Sequence, residues 1–315
     1  MDSGINPVCR HLCSARNGFI PLLAFHQLVV VGMGVLDYFS MMRIPNSLMS
    51  GVGAVFMSLM FSNYCVDCLG VVRLAAGFAT GFTVTAASML VNDVVDLGVD
   101  RVNKPWKPLP SGRASPRVAL ALSILLPLIA LAVNLPVDKG LALVTVVYSA
   151  LGLGYSFLRK HWWSQLIVAA STTGPIAYGY VAAGSPSSSI HVALGLSITI
   201  FVVTLGREVL KAMQDVEGDR LHGYSTIPLK LGVEESAKLL VFAGIAGPAA
   251  GITTGVVAGS GIVYKAVISV AGGLYLYSMV KAYRKPREKN VLEEARKETL
   301  LEMMLGLVAF WMFRV

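Results

Sequence analysis

Charge is what this chain has least of. Asp, Glu, Lys and Arg make up 14% of its 315 residues, against about 25% in soluble domains. With 55% hydrophobic residues and a mean hydropathy of +0.67, that shortfall excludes an ordinary soluble fold. No run of alternating polarity is present, which argues against a transmembrane barrel. Neither G-x-x-x-x-G-K-[ST] nor a strand-borne G-x-G-x-x-G occurs, so the common nucleotide sites are excluded. Cysteine is rare: Cys9 and Cys13 near the start, and Cys65 and Cys68 as a C-x-x-C. Zinc needs four convergent ligands, and the topology below puts the two pairs on opposite sides. An inert or locally bridged pair is the expectation.

What the chain has in abundance is apolar runs of about 20 residues, the length of a membrane-spanning helix. Its 31 glycines suit close helix packing in lipid. The pattern predicts an all-α membrane protein with nine transmembrane helices, at 44–62, 70–92, 116–134, 139–157, 163–183, 190–211, 236–254, 259–281 and 298–313. Residues 38–315 form one membrane domain. Residues 1–37, including an apolar stretch at 19–37 broken by Pro21, His26 and Asp37, are expected to be an N-terminal extension or an interfacial helix. Residues 284–298 read as a charged surface helix or loop without chemistry.

Net charge is +8, but its distribution speaks against nucleic acid. Lys and Arg gather in every second loop: Arg101, Lys104, Lys107 and Arg113; Arg159 and Lys160; Arg220 and Lys230; Arg284, Lys285, Arg287 and Lys289. Loops between these are nearly free of cations. The basic side is therefore expected to be cytoplasmic, in an integral, multi-pass membrane protein.

Six of the 18 acidic residues lie in two short segments at helix ends on that basic side. Asn92-Asp93-Val94-Val95-Asp96-Leu97-Gly98-Val99-Asp100 holds three, and Asp215-Val216-Glu217-Gly218-Asp219 holds three. A carboxylate costs about 2.5–3.5 kcal/mol near the bilayer middle and less towards its ends. In the first segment Asp93, Asp96 and Asp100 are spaced i, i+3, i+7, one helical face. Asn92 adds a neutral oxygen, and Gly98 is placed to loosen the last turn. In the second, Asp215 and Asp219 are spaced i, i+4, with Lys211 one turn earlier; Glu217 points elsewhere. Hard oxygen donors in this pattern suit Mg²⁺, which keeps phosphate oxygens in its shell. The expected metal-binding residues are Asn92, Asp93, Asp96, Asp100, Asp215 and Asp219, with Asp93, Asp96, Asp215, Asp219 and Lys211 as the catalytic set. Arg43, Asn46, Lys104, Arg113, Tyr155, Arg159 and Lys160 complete a shell for an anionic, phosphate-bearing substrate. A diphosphate beside a lipid-filled bundle points to a prenyl diphosphate, whose allylic carbon becomes cation-like as diphosphate departs.

These residues resemble the UbiA superfamily of intramembrane prenyltransferases over roughly 38–315. Asn92 to Asp100 match its N-D-x-x-D-x-x-x-D, and Asp215 and Asp219 its D-x-x-x-D. Asn103-Lys104-Pro105, Pro110-Ser111-Gly112-Arg113, Tyr155-Ser156-Phe157-Leu158-Arg159-Lys160 and Arg43-Ile44-Pro45-Asn46 match further segments in order. The resemblance implies nine helices around a central cavity under a cytoplasmic cap. It also implies Mg²⁺ as cofactor, a prenyl diphosphate donor, and Arg43, Lys104, Tyr155 and Lys160 against the diphosphate or the acceptor. Arg207-Glu208-Val209-Leu210-Lys211 before the second motif is most similar to the archaeal members that add geranylgeranyl to geranylgeranylglyceryl phosphate, a lipid acceptor. Ala212 departs from that pattern, where an acid often follows the Lys. Arg113 and Arg117 are the cations nearest in sequence to receive the acceptor phosphate. An aromatic acceptor, as in quinone or porphyrin-tail synthesis, would use the same motifs. A divalent-cation transporter would place its acids near the midplane with access to both sides, whereas these lie at one end.

Overall fold

The computed structural model describes residues 34–159, 161–221 and 223–314. Lys160, Cys9, Cys13 and residues 19–33 of the first apolar stretch therefore lie outside the described residues. Residues 34–41 are helical. Thirteen α-helices follow: α1 (Ile44–Phe61), α2 (Val66–Val95), α3 (Leu97–Asn103), α4 (Pro116–Asn134), α5 (Lys139–Leu158), α6 (Ser164–Ser171), α7 (Gly174–Ala182), α8 (Ile190–Gln214), α9 (Val216–Leu221), α10 (Ile227–Leu231), α11 (Val233–Val257), α12 (Ile262–Arg284) and α13 (Lys289–Trp311). Helix starts follow from local chemistry. Pro45, Pro116, Pro175 and Pro228 sit in first turns, where their missing N–H costs nothing. The Asp138 carboxylate caps α5 by accepting from the Gly140 and Leu141 amides at 2.6 and 3.2 Å.

Among the described residues, seven helices, α1, α2, α4, α5, α8, α11 and α12, are long and apolar enough to cross a membrane. The stretch expected as one span at 163–183 is two helices, α6 and α7, broken at Thr172-Thr173. The region read as a surface segment, 284–298, is not separate. Most of it is the first half of α13, which runs on without interruption to Trp311. Its acids explain the continuity: Glu294 and Glu298 hold Lys281 of α12 at 2.9 and 3.0 Å, zipping the two helices together before the apolar half begins.

The bundle has an inverted polarity. Val118, Leu120, Ile124, Leu125, Leu128 and Ile129 of α4 are exposed, as lipid-facing side chains are. Inside, polar groups join helices. Asn134, fully buried, donates to Thr80 Oγ1 at 2.7 Å and accepts from the Tyr178 hydroxyl at 2.8 Å, linking α2, α4 and α7; such bonds are worth about 0.6–2 kcal/mol in lipid. Small residues set the spacing. A Cβ on Gly179 would lie 2.4 Å from the Met57 backbone carbon, so α7 and α1 touch backbone to backbone. Gly179→Ala should cost about 1–3 kcal/mol by overpacking; a thermal melt in detergent at the wild-type midpoint would contradict this contact.

Helices α1 and α2 pack together, as do α8 with α11, α11 with α12, and α12 with α13; α2 also contacts α4 and α5, and α1 contacts α7. The ring closes where Ala309, Phe310 and Phe313 join Met57 and Met60 in one core cluster. The Tyr64 hydroxyl, in the α1–α2 turn, donates to the Trp311 carbonyl at 2.8 Å. The end of α13 therefore lies beside the turn between the first two helices, at the end of the bundle away from both acidic motifs. Cys65 and Cys68 form a disulfide there, the second of the two states, inert or locally bridged, expected for that pair.

Candidate active site

The ring of helices encloses a cavity of about 770 Å³, within the roughly 300–1,000 Å³ of small-molecule sites. Its lining combines apolar side chains, Met49, Val84, Met89, Val144 and Ile200 among them, with charged ones from the motif ends and from α8 and α13. Asp96 and Asp100 line it from the end of α2 and from α3, and Asp215 from the end of α8. Each acidic motif thus contributes at least one carboxylate to the lining of the same cavity.

Tyr224, in the loop after α9, ties the two motifs together. Its hydroxyl donates to Asp96 Oδ1 at 3.3 Å, and the Arg159 guanidinium lies 5.1 Å from its ring centre. Arg159 forms a salt bridge with the other oxygen of Asp96. Burial, and after it the Asp96 carboxylate, push the Tyr224 phenol above its ordinary range. Arg159 remains a cation: burial opposes its charge, but Tyr155, Asp96 and Tyr224 outweigh that.

The helix does not run unbroken through the first motif. It resets at Asp96 itself, which ends α2 and precedes α3 with φ −80° and ψ 0°, rather than at Gly98. The turn hydrogen bonds nevertheless continue, Asp96 N to Asn92 O at 2.9 Å and Asp100 N to Asp96 O at 2.8 Å. Asp93 and Asp100 thus stay on one face, where Lys107 joins them: its Nζ lies 3.0 Å from Asp93 and 2.7 Å from Asp100. Burial alone would lower the Lys107 ammonium; the two carboxylates outweigh it and hold it above the usual lysine range. Asn92 accepts from the Ser156 hydroxyl at 2.6 Å.

The other expected residues divide. Arg43, Asn46, Lys104, Tyr155, Arg159 and Lys211 line the cavity. Arg43 does so from a left-handed backbone, φ 48° and ψ 61°, a conformation costly for a side chain other than Gly. Lys211 lies 3.4 Å from Glu208. Arg113 does not reach the cavity; it is held by Asp37 at 3.2 Å and by the Trp106 carbonyl at 3.0 Å. Asp93 is buried behind Lys107 and is not a lining residue. Glu217 pairs outward with Lys289 at 2.6 Å. Asp219 follows Asp215 by one turn, its amide donating to the Asp215 carbonyl at 2.9 Å. Spacing gave no signal for Tyr224, or for Arg296 and Glu302 of α13, which also line the cavity.

The donor set fits Mg²⁺ in one specific sense. Among the described residues no three carboxylates gather into a closed cage, so the six expected ligands do not converge as one cluster. Mg²⁺ is ordinarily held by one or two carboxylates together with phosphate oxygens. Asp96 and Asp215, facing one cavity from two helix ends among basic side chains, offer that arrangement.

A sequence model of the UbiA prenyltransferase family matches residues 47–297. The digeranylgeranylglyceryl phosphate synthase of Saccharolobus solfataricus is 31% identical over 215 residues, 66% of this chain and 74% of the relative. That of Methanoregula boonei is 33% identical over 216 residues, 67% and 74% of the two chains. Among solved structures, one described as a digeranylgeranylglyceryl phosphate synthase in membranes superposes with a TM-score of 0.73 at 24% identity, covering 88% of this chain and 97% of the other. A UbiA homolog from Archaeoglobus fulgidus bound to GPP and Mg²⁺ has a TM-score of 0.56 at 17% identity, covering 84% and 99%. At these identities the structures speak to the fold.

Proposed function

This chain belongs to the UbiA prenyltransferase family, and we propose that it transfers geranylgeranyl from geranylgeranyl diphosphate to geranylgeranylglyceryl phosphate, with Mg²⁺ as cofactor, in archaeal ether-lipid synthesis. The observation that carries the reading is the meeting of two acidic helix ends over an apolar cavity, joined through Asp96, Arg159 and Tyr224. Relatives named for digeranylgeranylglyceryl phosphate synthesis support the lipid acceptor, and the homolog bound to GPP and Mg²⁺ supports the ion and the diphosphate.

Asp96 and Asp215 would hold the ion, with Asn92, Asp93, Asp100 and Asp219 around them. Bound there, Mg²⁺ supplies Lewis-acid stabilisation of the charge on departing diphosphate. The chain's own cations do the rest of the anion binding: Arg43, Lys104, Arg159, Lys160 and Lys211 donate to phosphate oxygens, with Tyr155 beside them. The apolar part of the lining takes the prenyl tail and keeps water from the cation-like carbon.

The same reading assigns nine crossings to residues 38–315: the seven apolar helices, the α6–α7 unit and α13. The order of helix ends supports it: α5 ends at its C-cap Arg159 and α8 at its C-cap Asp215, both at the motif end, so the α6–α7 unit carries the chain across between them, and α13 ends where Tyr64 meets Trp311. The concentration of Lys and Arg at the motif end supports a site on the cytoplasmic side, with residues 1–37 as an extension or interfacial helix. Purified protein with Mg²⁺, geranylgeranyl diphosphate and either geranylgeranylglyceryl phosphate or 4-hydroxybenzoate tests the acceptor. The expected product is the doubly prenylated lipid; product from the aromatic acid alone would replace this reading with the aromatic one.

A further inference from the structure

Two buried atoms with opposite hydrogen-bonding needs belong to residues facing the same cavity, and neither is satisfied. Arg207 Nε, on α8, has no acceptor among the described residues, and Glu302 Oε2, on α13, has no donor. Both residues line the cavity. Both lie within electrostatic reach of the Tyr275 hydroxyl, which donates to the Val203 carbonyl at 2.7 Å and so is committed elsewhere. No salt bridge joins them.

Their surroundings hold them open. Glu302 is anchored by one oxygen only: Oε1 accepts from the Ser278 hydroxyl at 2.7 Å. Glu298, one turn earlier, cannot relieve it, being another carboxylate already held by Lys281 at 3.0 Å. An unpaired guanidinium nitrogen and a bare carboxylate oxygen are each expensive away from water. Position separates them from the diphosphate end. Arg207 precedes Asp215 by eight residues, about 12 Å along α8 at 1.5 Å per residue, with Lys211 midway.

We propose that Arg207 and Glu302 form the seat of the acceptor headgroup: the guanidinium takes its anionic group and the carboxylate takes its reacting hydroxyl. This rests on the prenyl-transfer reading of the cavity. The chemistry recognised is an anion a few bonds from a hydroxyl, which a phosphoglycerol presents and a hydroxybenzoate also presents. In the transfer, the bond from the allylic carbon to the diphosphate oxygen breaks, and its electron pair leaves with diphosphate. The acceptor oxygen forms the new carbon–oxygen bond with a lone pair, and its proton passes to Glu302 Oε2. Arg113 and Arg117, nearest in sequence for the acceptor phosphate, do not fill this role, because Arg113 is engaged by Asp37 and neither lines the cavity.

The test measures binding apart from turnover. Full-length protein in detergent, free of metal and diphosphate, is titrated with a single-chain alkylglycerol phosphate and, separately, with 4-hydroxybenzoate. Wild type should bind one of them, and the tighter ligand identifies the source of the headgroup. Arg207→Gln should weaken that binding about 10- to 100-fold, the loss of one charge-assisted hydrogen bond. Arg207→Lys should recover part of it. The melting temperature of Arg207→Gln should not fall, because no native ion pair is removed. Glu302→Gln should keep headgroup binding within a few-fold but lower kcat and flatten the acid limb of its pH profile. Three results overturn the seat: a wild type that binds neither probe, an Arg207→Gln that binds within twofold of wild type, or an Arg207→Gln whose prenyl diphosphate binding falls as steeply as its headgroup binding. A wild type with an Arg207-dependent seat but no transfer to either acceptor would instead sink the prenyl-transfer reading and leave the seat standing.

Discussion

Asp215→Ala is expected to reduce kcat about 10³-fold, the scale set by removing one element of transition-state charge stabilisation, without destabilising the protein. The two halves of that expectation have separate origins. Asp215 lines the cavity and is the second motif's carboxylate facing Asp96, so the proposed ion loses one of two anchors. Yet Asp215 forms no salt bridge among the described residues, and it sits at the C-cap of α8. A carboxylate at the C-terminus of α8 is opposed by that helix's dipole, typically by about 0.3–1 kcal/mol, but Asp215 also directly precedes α9, whose N-terminus favours a carboxylate by a similar amount. The two effects oppose each other, so losing the carboxylate should leave the thermal midpoint close to that of the wild type. Asp215→Asn should shift the Mg²⁺ titration of activity to higher concentration. Wild-type turnover and an unshifted titration would remove Asp215 from the metal site.

Lys107→Met is expected to do the reverse, striking stability first. Asp93 and Asp100 are 7% and 4% exposed, and Lys107 is the one cation seen bonded to either among the described residues. Without it, two neighbouring carboxylates remain buried and unpaired. Breaking a buried pair costs about 3–5 kcal/mol, and the low end applies because Lys107 retains partial access to water. The melting temperature should fall, and the segment from α3 to Ser115 should become sensitive to proteolysis. Adding Asp100→Asn to Lys107→Met should return part of the loss. The sign with pH follows from the direction of the Lys107 shift. Its folded value is raised above the ordinary 10.5, so its contribution is complete at pH below 10.5 and is lost as pH climbs through the raised value. Neutral buffers should therefore show no pH dependence from this pair. An unchanged melting temperature in Lys107→Met would show that the pair is not what holds this loop.

The sequence by itself determined the class, the placement of most membrane-length segments and the fact that both acidic motifs lie at one end. Those follow from hydropathy and from the side on which Lys and Arg fall, properties that accumulate over twenty residues and tolerate errors of several. The family resemblance was carried by residues close together in the chain, and the helix ends preserve such spacings. What only the tertiary structure decided was partnership. Lys104 and Lys107 are three residues apart and carry the same side chain; the turn in which the Lys107 amide donates to the Lys104 carbonyl at 3.1 Å sets their relative positions, and it is Lys107 that reaches Asp93 and Asp100. Arg113, adjacent to the motif in sequence, is drawn to Asp37 instead. Tyr224 joins Asp96 across 128 residues, and Arg296 enters the cavity from a segment whose charges alone suggested a solvated surface, with Glu302 following it from the span expected at 298–313. Spacing along one helix fixes which residues share a face. Which distant face lies opposite is fixed by how helices pack, and that information is spread over contacts such as Gly179 against Met57 that no local pattern displays.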